Sequence, residues 1–279
     1  MFSQTIGFCA GLCLCIGGVC GFSAATAQET GAKATPPPKV LQIDVENLKP
    51  GKFGAAHQKT ENTFVKVSQS DKSAAHYIAM QSLSGPPRAL FFFSYDSFAD
   101  YEKQRKINMN SPTAGQIDAA YEADGELLTS MMTSIYTLRD DLSHTPNVAI
   151  ANMRYMQISL IHLRPGHQAE WEEYLKMLSS NLDKMGTGRP IAVYQSAYGW
   201  ENGGVWLLIT PMKSLDEVDK ADANVAKFRE TMGEDNTKHY RELVASAVAS
   251  SQRNLFAFDP EMSSVPDTWV AADSFWKHK

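Results

Sequence analysis

The sequence predicts an α+β protein in which one β-α-β-β-α-β module occurs twice in tandem. The segment 40–51, VLQIDVENLKPG, is matched 115 residues later by the segment 155–166, YMQISLIHLRPG. Each segment begins with the alternation of apolar and polar residues that is typical of a half-buried strand, and a Pro-Gly pair then ends the strand. An amphipathic helix and two strands around a turn follow in both copies, so the modules share one order of elements.

In the first module, the strand that begins at Val40 leads to a helix with apolar or inward-facing residues at helical spacing from Phe53 to Val67. The remaining elements follow in this order: strands at 77–82 and 89–94 around a turn, a polar helix from Ser97, a helix after Ser111-Pro112 with an apolar face formed by Ile117, Tyr121, Leu128, Met131 and Met132, and a closing strand at 135–139.

The second module repeats this order from Tyr155 onward, and the Gln-Ser pairs at 81–82 and 195–196 match 114 residues apart. Its elements are predicted as follows: a first helix with an apolar face from Trp171 to Met185, strands at 191–196 and 205–210 around a turn, a polar helical stretch from Ser214, a further helix with an apolar face from Tyr240 to Val248, and a closing strand at 255–258.

These elements predict a division of the chain into six parts. They are a signal peptide at 1–27, a linker at 28–39, the first module at 40–143, a connector at 144–154, the second module at 155–262 and a C-terminal tail at 263–279. A four-stranded sheet with helices on one face leaves its other face in need of a partner. We therefore expect the two modules to pair within one chain as a barrel-like pseudo-dimer.

The N-terminal segment predicts export to the periplasm or the outside of the cell. Residues 1–27 contain no Asp, Glu, Lys or Arg, and an apolar run ends at Ala25-Thr26-Ala27, which is the pattern of a cleaved secretory signal. An uncleaved membrane anchor is the alternative, because no basic residue precedes the apolar run.

All four cysteines lie in this segment, at Cys9, Cys13, Cys15 and Cys20, so the mature chain has no disulfide, thiolate metal site or cysteine nucleophile. We expect no transmembrane segment in the mature chain. The formal charge of −5 argues against nucleic acid as a partner.

Residues 159–176 resemble a known family. A strand, the sequence Leu163-Arg164-Pro165-Gly166-His167 and a helix rich in Trp and Glu are similar to the NIPSNAP-like branch of the dimeric α/β-barrel superfamily, which is built from ferredoxin-like modules. That superfamily also includes antibiotic biosynthesis monooxygenases and haem-binding chlorite dismutase relatives. The resemblance covers residues 40–262, and it implies a small-molecule ligand between the sheet and its helices.

The candidate ligand-binding residues are polar or aromatic side chains expected between strands and helices. They are His57, Gln81, His162, Trp171, Tyr174, Tyr194 and Gln195. His57 lies on the inward stripe of the first helix, where it would be either a general base or a hydrogen-bonded core residue. The resemblance makes His239 a speculative haem ligand, and a place on the protein surface is the alternative for this residue.

The sequence contains no motif that identifies a metal site. Asp140, Asp141 and His144 form the nearest cluster of metal-ligand types, but the same residues are common in turns. The fingerprints of hydrolases, zinc proteases and dinucleotide-binding proteins are also absent from the sequence. No cofactor is required by the sequence, although haem remains possible through the resemblance.

Three functions follow from these observations. The first is the binding of a small, partly apolar ligand between the sheet and the helices. The second is an oxidoreductase, either independent of cofactors or dependent on haem. The third is a structural or protein-interaction module.

Overall fold

The computed structural model describes residues 33–200 and 204–279. The predicted signal peptide lies outside these residues. Within the part of the chain that is described, eight strands and eight α-helices alternate in two halves with the same order of elements. No helix in these ranges is both long enough and apolar enough to cross a lipid bilayer.

The first half contains four strands and three α-helices. Their bounds are β1 Val40–Leu48, α1 Ala55–Ser70, β2 Tyr77–Ser82, β3 Arg88–Tyr95, α2 Phe98–Met109, α3 Ala114–Gly125 and β4 Leu128–Leu138. Gly51 has a φ of 77° in the turn between β1 and α1, which is a backbone conformation that glycine adopts without strain. The Pro-Gly pair therefore ends β1, as the sequence predicts.

The second half contains the same order, with one more helix and a C-terminal extension. Its bounds are β5 Tyr155–Leu163, α4 Gln168–Met185, β6 Ala192–Tyr198, β7 Val205–Met212, α5 Asp216–Ala223, α6 Val225–Met232, α7 Glu234–Ala247, β8 Val248–Phe258 and α8 Asp267–Ala272. Gly186 takes the left-handed conformation that ends α4.

The eight strands form one closed antiparallel barrel in the order β1-β3-β2-β8-β5-β7-β6-β4. Each half contributes four adjacent strands, and the halves join where β2 pairs with β8 and where β4 pairs with β6. Gly199 lies at the second join, where an added Cβ would be 2.6 Å from the backbone oxygen of Thr133. Only a glycine permits this close approach of the two strands.

Successive side chains along each strand point alternately into the barrel and out toward the helices. They form one core inside the barrel and two cores beneath the helices. Leu41 and Ile43 of β1, like Met156 and Ile158 of β5, point into a packed barrel interior. The intervening residues point outward, where α1 and α3 cover the first half and α4 and α7 cover the second half. The side of the barrel that faces the helices is therefore the side on which a cavity can form.

The two closing strands are longer than the sequence predicts. Leu128, Met131 and Met132, which are expected on a helix, lie in β4, and Val248 lies in β8. β4 pairs with β1 along nearly its whole length, with a register shift at Asn47/Leu48. These ladder hydrogen bonds satisfy the backbone and outweigh the helical spacing of the side chains.

The segments that flank the barrel also pack against it. In the predicted linker, Thr35 forms a β-bridge with Val148. In the predicted tail, Trp276 is fully buried in the interior cluster, beside Phe258. Its indole Nε1 donates to the backbone oxygen of Ala151 at 2.7 Å, so both the apolar ring and the polar end of this side chain are satisfied.

We expect Trp276→Ala to destabilise the protein by about 3–5 kcal/mol, the range for removing a buried aromatic side chain. For a protein of this size, the melting temperature would fall by roughly 6–20 °C. Differential scanning fluorimetry measures the change, and Lys277→Ala at the exposed neighbouring position is the control. Equal melting temperatures for Trp276→Ala and the wild type would show that the tail does not stabilise the barrel.

Candidate functional site

Four polar side chains converge beneath the helices of the first half. Glu46 extends from the outer face of β1, His57 and Glu61 lie on the inner face of α1, and Asp124 lies near the end of α3. The spacing of four residues places His57 and Glu61 on the same side of their helix. All four side chains are buried, and one ligating atom from each lies within 4.8 Å of the others.

The imidazole of His57 is at the centre of this group, which we call the Glu46 cluster. His57 Nε2 lies 2.9 Å from Glu46 Oε2, 3.6 Å from Glu61 Oε1 and 3.8 Å from Asp124 Oδ1. Only the first of these distances is a hydrogen bond. One imidazole therefore faces three carboxyl groups.

Two carboxyl oxygens of the Glu46 cluster have no hydrogen-bond partner among the described residues. They are Oε1 of Glu61 and Oδ2 of Asp124, in side chains that are 3% and 1% exposed. The other oxygen of Asp124 is 2.5 Å from the hydroxyl of Thr60. A buried carboxyl oxygen without a partner costs free energy, so this arrangement is unfavourable for folding.

Burial shifts the protonation of these groups. Burial, followed by the negative charges of Glu46 and Asp124, raises the pKa of Glu61 well above its usual value. Burial also raises the pKa of Glu46, against the opposing hydrogen bond with His57. Both shifts have the sign expected when carboxyl groups leave water and approach each other.

A cavity of about 580 Å³ lies between β1–β3 and the helices of the first half, and Glu46 and Glu61 line it. This volume falls within the range of about 300–1,000 Å³ that is usual for small-molecule sites. The other carboxylates at its edge are Asp44, Asp71 and Asp118, and the aromatic residues of its walls are Phe64, Tyr77, Phe91, Phe93, Tyr95 and Tyr121.

The second half has apolar residues at the places of Glu46, His57 and Glu61. Glu46 pairs with Ala89 and Met131, and Ile161 occupies the same place in the second half because it pairs with Trp206 and Ser251. His57 and Glu61 correspond to Trp171 and Leu175 on α4. Ile161, Trp171 and Leu175 are all buried in one apolar core. The fold therefore does not require polar groups at these places.

A second cavity, of about 440 Å³, lies under the helices of the second half. Arg189, Arg253, Lys220 and Glu217 are its charged residues, so it is positive where the first cavity is negative. Burial, together with the nearby charge of Arg253, lowers the pKa of Arg189. Neither arginine forms a salt bridge within the described ranges.

The predicted ligand-binding residues do not lie together. His57 belongs to the Glu46 cluster, and Tyr174 lines the second cavity, where its hydroxyl accepts from Tyr240 at 2.8 Å. Trp171 stacks on Tyr174 with ring centroids 4.8 Å apart, but it belongs to the packed core of the second half. These three residues lie between the sheet and the helices, as expected.

The other predicted residues lie away from both cavities. Tyr194 points into the barrel interior, where its hydroxyl donates to the oxygen of Pro38, and His162 packs against Trp200. Strand alternation puts both residues on the inner face of the sheet, so their prediction between sheet and helices is wrong. Gln81 donates to Asp259, and Gln195 accepts from Arg139 at 3.4 Å.

His239 does not face a cavity. Its side chain is 47% exposed on the outer side of α7, and its Nε2 is 2.7 Å from Glu173 Oε1. The sequence allows two positions for His239, a haem site or the protein surface. In the structure this residue lies at the surface.

Asp141, from the weak metal-ligand cluster of the sequence, pairs with Arg139, whereas His144 forms a β-bridge with Ile191. These residues have structural partners.

Glu46, Glu61 and Asp124 are functional candidates that the sequence interpretation missed. Each lies on a strand or helix that also carries other polar residues. The local sequence pattern therefore does not distinguish it from a residue on the protein surface. A comparison of the two halves could have identified Glu61. His57 and Glu61 occupy the positions of the apolar residues Trp171 and Leu175, and all four residues are buried. Asp124 comes from α3, and only the tertiary structure brings it to the others.

No protein-family model matches the sequence, and no curated protein matches it. Solved structures resemble the fold. A protein from Fusobacterium nucleatum named “putative monooxygenase” is 11% identical over 80% of this chain and 94% of its own, with a TM-score of 0.53. An “anthrone oxidase-like protein” is 13% identical over 83% and 93%, with a TM-score of 0.52. A “putative chlorite dismutase” is 13% identical over 84% and 98%, with a TM-score of 0.42.

The first two structures share with this chain the closed barrel with helices outside. At this level of identity, the likeness shows the fold alone.

We expect Glu61→Gln to stabilise the protein when divalent cations are removed with a chelator. Because burial raises the pKa of Glu61 above its usual value of 4.5, this carboxyl group favours the folded state less and less as the pH rises above that value. The variant should match the wild type near pH 4 and exceed it at pH 8 by about 1–3 kcal/mol, the cost of a buried polar group left without a partner.

Urea unfolding between pH 4 and pH 8 measures this difference. Glu173→Gln, at an exposed position, is the control and should change stability by less than about 0.5 kcal/mol. A Glu61→Gln variant that is less stable than the wild type at pH 8 would contradict the argument.

Proposed function

We propose that this chain is an oxidoreductase that acts on a small, partly apolar molecule bound in the cavity of the first half. The observation that carries the proposal is the position of the Glu46 cluster at an aromatic cavity of suitable volume. Apolar walls with a few convergent polar groups are typical of small-molecule sites. The names of the two most similar structures reported above, a monooxygenase and an anthrone oxidase-like protein, support the same class of reaction.

The cavity suits a molecule with an aromatic body and a hydroxyl group. Phe64, Phe91 and Phe93 provide apolar surface for a planar ring. The carboxyl groups of Glu46 and Glu61, which line the cavity, offer oxygen acceptors for a hydroxyl group of the molecule.

Three wider inferences accompany this function. We infer that residues 1–27 direct export of the chain, because they have the pattern of a secretory signal. We infer that the halves arose by duplication of a ferredoxin-like module, because their strand order and register agree. The similarity of residues 159–176 to NIPSNAP-like proteins supports that branch of the superfamily as the origin of the module.

We expect the purified protein to consume dioxygen with a substrate from a panel of phenols, quinols and anthrones. With the best substrate, Glu46→Gln and Glu61→Gln should each lower kcat/KM by roughly 100-fold or more, because the reacting group loses its position. Asp118→Asn, at an exposed carboxylate on the rim of the same cavity, is the matched control and should keep most of the activity. Turnover that is unchanged in both cluster variants would exclude this cavity as the reaction site.

A second candidate function is the binding of a small organic anion in the second cavity. Arg189 and Arg253 place positive charge in this cavity, and Tyr174 and Tyr240 provide stacked aromatic surface. Guanidinium groups and aromatic faces together suit an aromatic carboxylate. This function requires no reaction, and it corresponds to the ligand-binding hypothesis from the sequence.

We expect isothermal titration calorimetry to detect binding of an aromatic carboxylate such as 2-naphthoate. Arg189→Gln should weaken the binding by about 10–100-fold, the equivalent of one charged hydrogen bond. Arg105→Gln in the first cavity is the matched control and should leave the affinity unchanged. Equal affinities for the Arg189 variant and the wild type would rule out this cavity as the anion site.

A further inference from the structure

We propose that Glu46, His57, Glu61 and Asp124 bind one divalent ion of a first-row transition metal at the inner end of the first cavity. The four side chains provide one imidazole nitrogen and three carboxylate oxygens from three elements, β1, α1 and α3. Imidazole and carboxylate together are the ligands that suit manganese, iron and zinc.

The spacing of the donor atoms fits such an ion. Metal-to-ligand distances of about 2.0–2.2 Å place the donors of a tetrahedral site roughly 3.3–3.6 Å apart. His57 Nε2 lies 2.9 Å from Glu46, 3.6 Å from Glu61 and 3.8 Å from Asp124. The three distances from His57 Nε2 differ from this spacing by about 0.4 Å or less, and all four donor atoms lie within 4.8 Å of one another.

The carboxyl oxygens without hydrogen-bond partners indicate a site for a cation. Oε1 of Glu61 faces His57 Nε2 at a distance too long for a hydrogen bond, and Oδ2 of Asp124 also has no partner among the described residues. Three buried carboxyl groups surround one imidazole. A divalent ion between them would be a partner for Oε1 of Glu61 and would offset the burial of the carboxyl groups.

Packing does not explain the cluster, because the second half builds the same place from apolar residues. Ile161, Trp171 and Leu175 fill it and form part of a closed core. The polar groups of the first half are therefore retained at a cost to stability that the same architecture avoids elsewhere.

Surrounding groups orient the donors. The Thr60 hydroxyl lies 2.5 Å from Asp124 Oδ1 and 2.8 Å from the backbone oxygen of His57. Such outer contacts hold metal ligands in place. Glu46 and Glu61 also line the cavity, whereas His57 and Asp124 lie behind them. Because Mn²⁺ and Fe²⁺ commonly take more than four ligands, an ion held by these four donors at the wall of the cavity would keep open positions for ligands from the cavity.

This inference concerns the site of the proposed function and rests on that function only for the role of the open positions. Metal binding is measured without substrate, so its failure would leave the proposed oxidation testable. Conversely, metal binding with no oxidation would retain the site and reject the reaction.

The test uses the purified full chain after treatment with a chelator and gel filtration. We expect Mn²⁺ to bind with a stoichiometry of one by calorimetry. At a free concentration 100-fold above the Kd, it should raise the melting temperature by about 5–10 °C. Pulsed electron paramagnetic resonance should show a nitrogen coupling to Mn²⁺ that disappears in His57→Gln. Fe²⁺ and Zn²⁺, added under anaerobic and aerobic conditions respectively, test the choice of ion.

Glu61→Gln and Asp124→Asn should weaken Mn²⁺ binding by more than the roughly 10–100-fold that is typical for outer contacts of a metal site. Asp118→Asn, on the rim of the same cavity, should bind Mn²⁺ like the wild type. Unfolding curves in chelator show that each variant is folded. The proposal is overturned if none of the three ions binds, or if binding survives in both Glu61→Gln and Asp124→Asn.

Discussion

Pairing between the two halves of the chain closes the barrel, and the other features of the molecule depend on that closure. β2 pairs with β8, and β4 pairs with β6, so neither four-stranded sheet keeps a free edge. The inner faces of both sheets then form one core, which Trp276 of the C-terminal tail helps to fill. Because this interior is packed with apolar side chains, the two cavities described here lie on the outer faces, beneath the helices.

The outer faces of the two halves differ in charge while their architecture is the same. The first cavity carries carboxylates and the second carries arginines. Since the strands keep the same register in both halves, this difference comes from side chains and not from a change of backbone. One architecture thus presents two chemically different sites, which is consistent with a functional role for only one of them or with different ligands for each.

The Glu46 cluster shows how a site can oppose stability. Burial of three carboxyl groups near one imidazole is unfavourable, as the raised pKa values of Glu46 and Glu61 indicate. The apolar residues Ile161, Trp171 and Leu175 show that the fold can fill the same place without this cost. Groups that reduce stability without a structural need are often found at functional sites.

The sequence by itself determined the order of strands and helices, the Pro-Gly turn after the first strand of each half and the presence of His57 on an inward helical face. These features follow from local periodicity and turn chemistry, which act over a few residues. The full length of β4 and β8 was not predictable, because long-range ladder hydrogen bonds with β1 and β5 decide it. Likewise, the inward direction of Tyr194 depends on which face of its strand meets the barrel interior.

The candidate site was only partly contained in the sequence. His57 was identified, but Glu46, Glu61 and Asp124 became significant only when β1, α1 and α3 packed together. A carboxylate on an isolated strand or helix is in water and has its usual properties. Packing removes the water and brings the three carboxylates to one imidazole, and this desolvation is the physical reason that the tertiary structure alone could reveal the site.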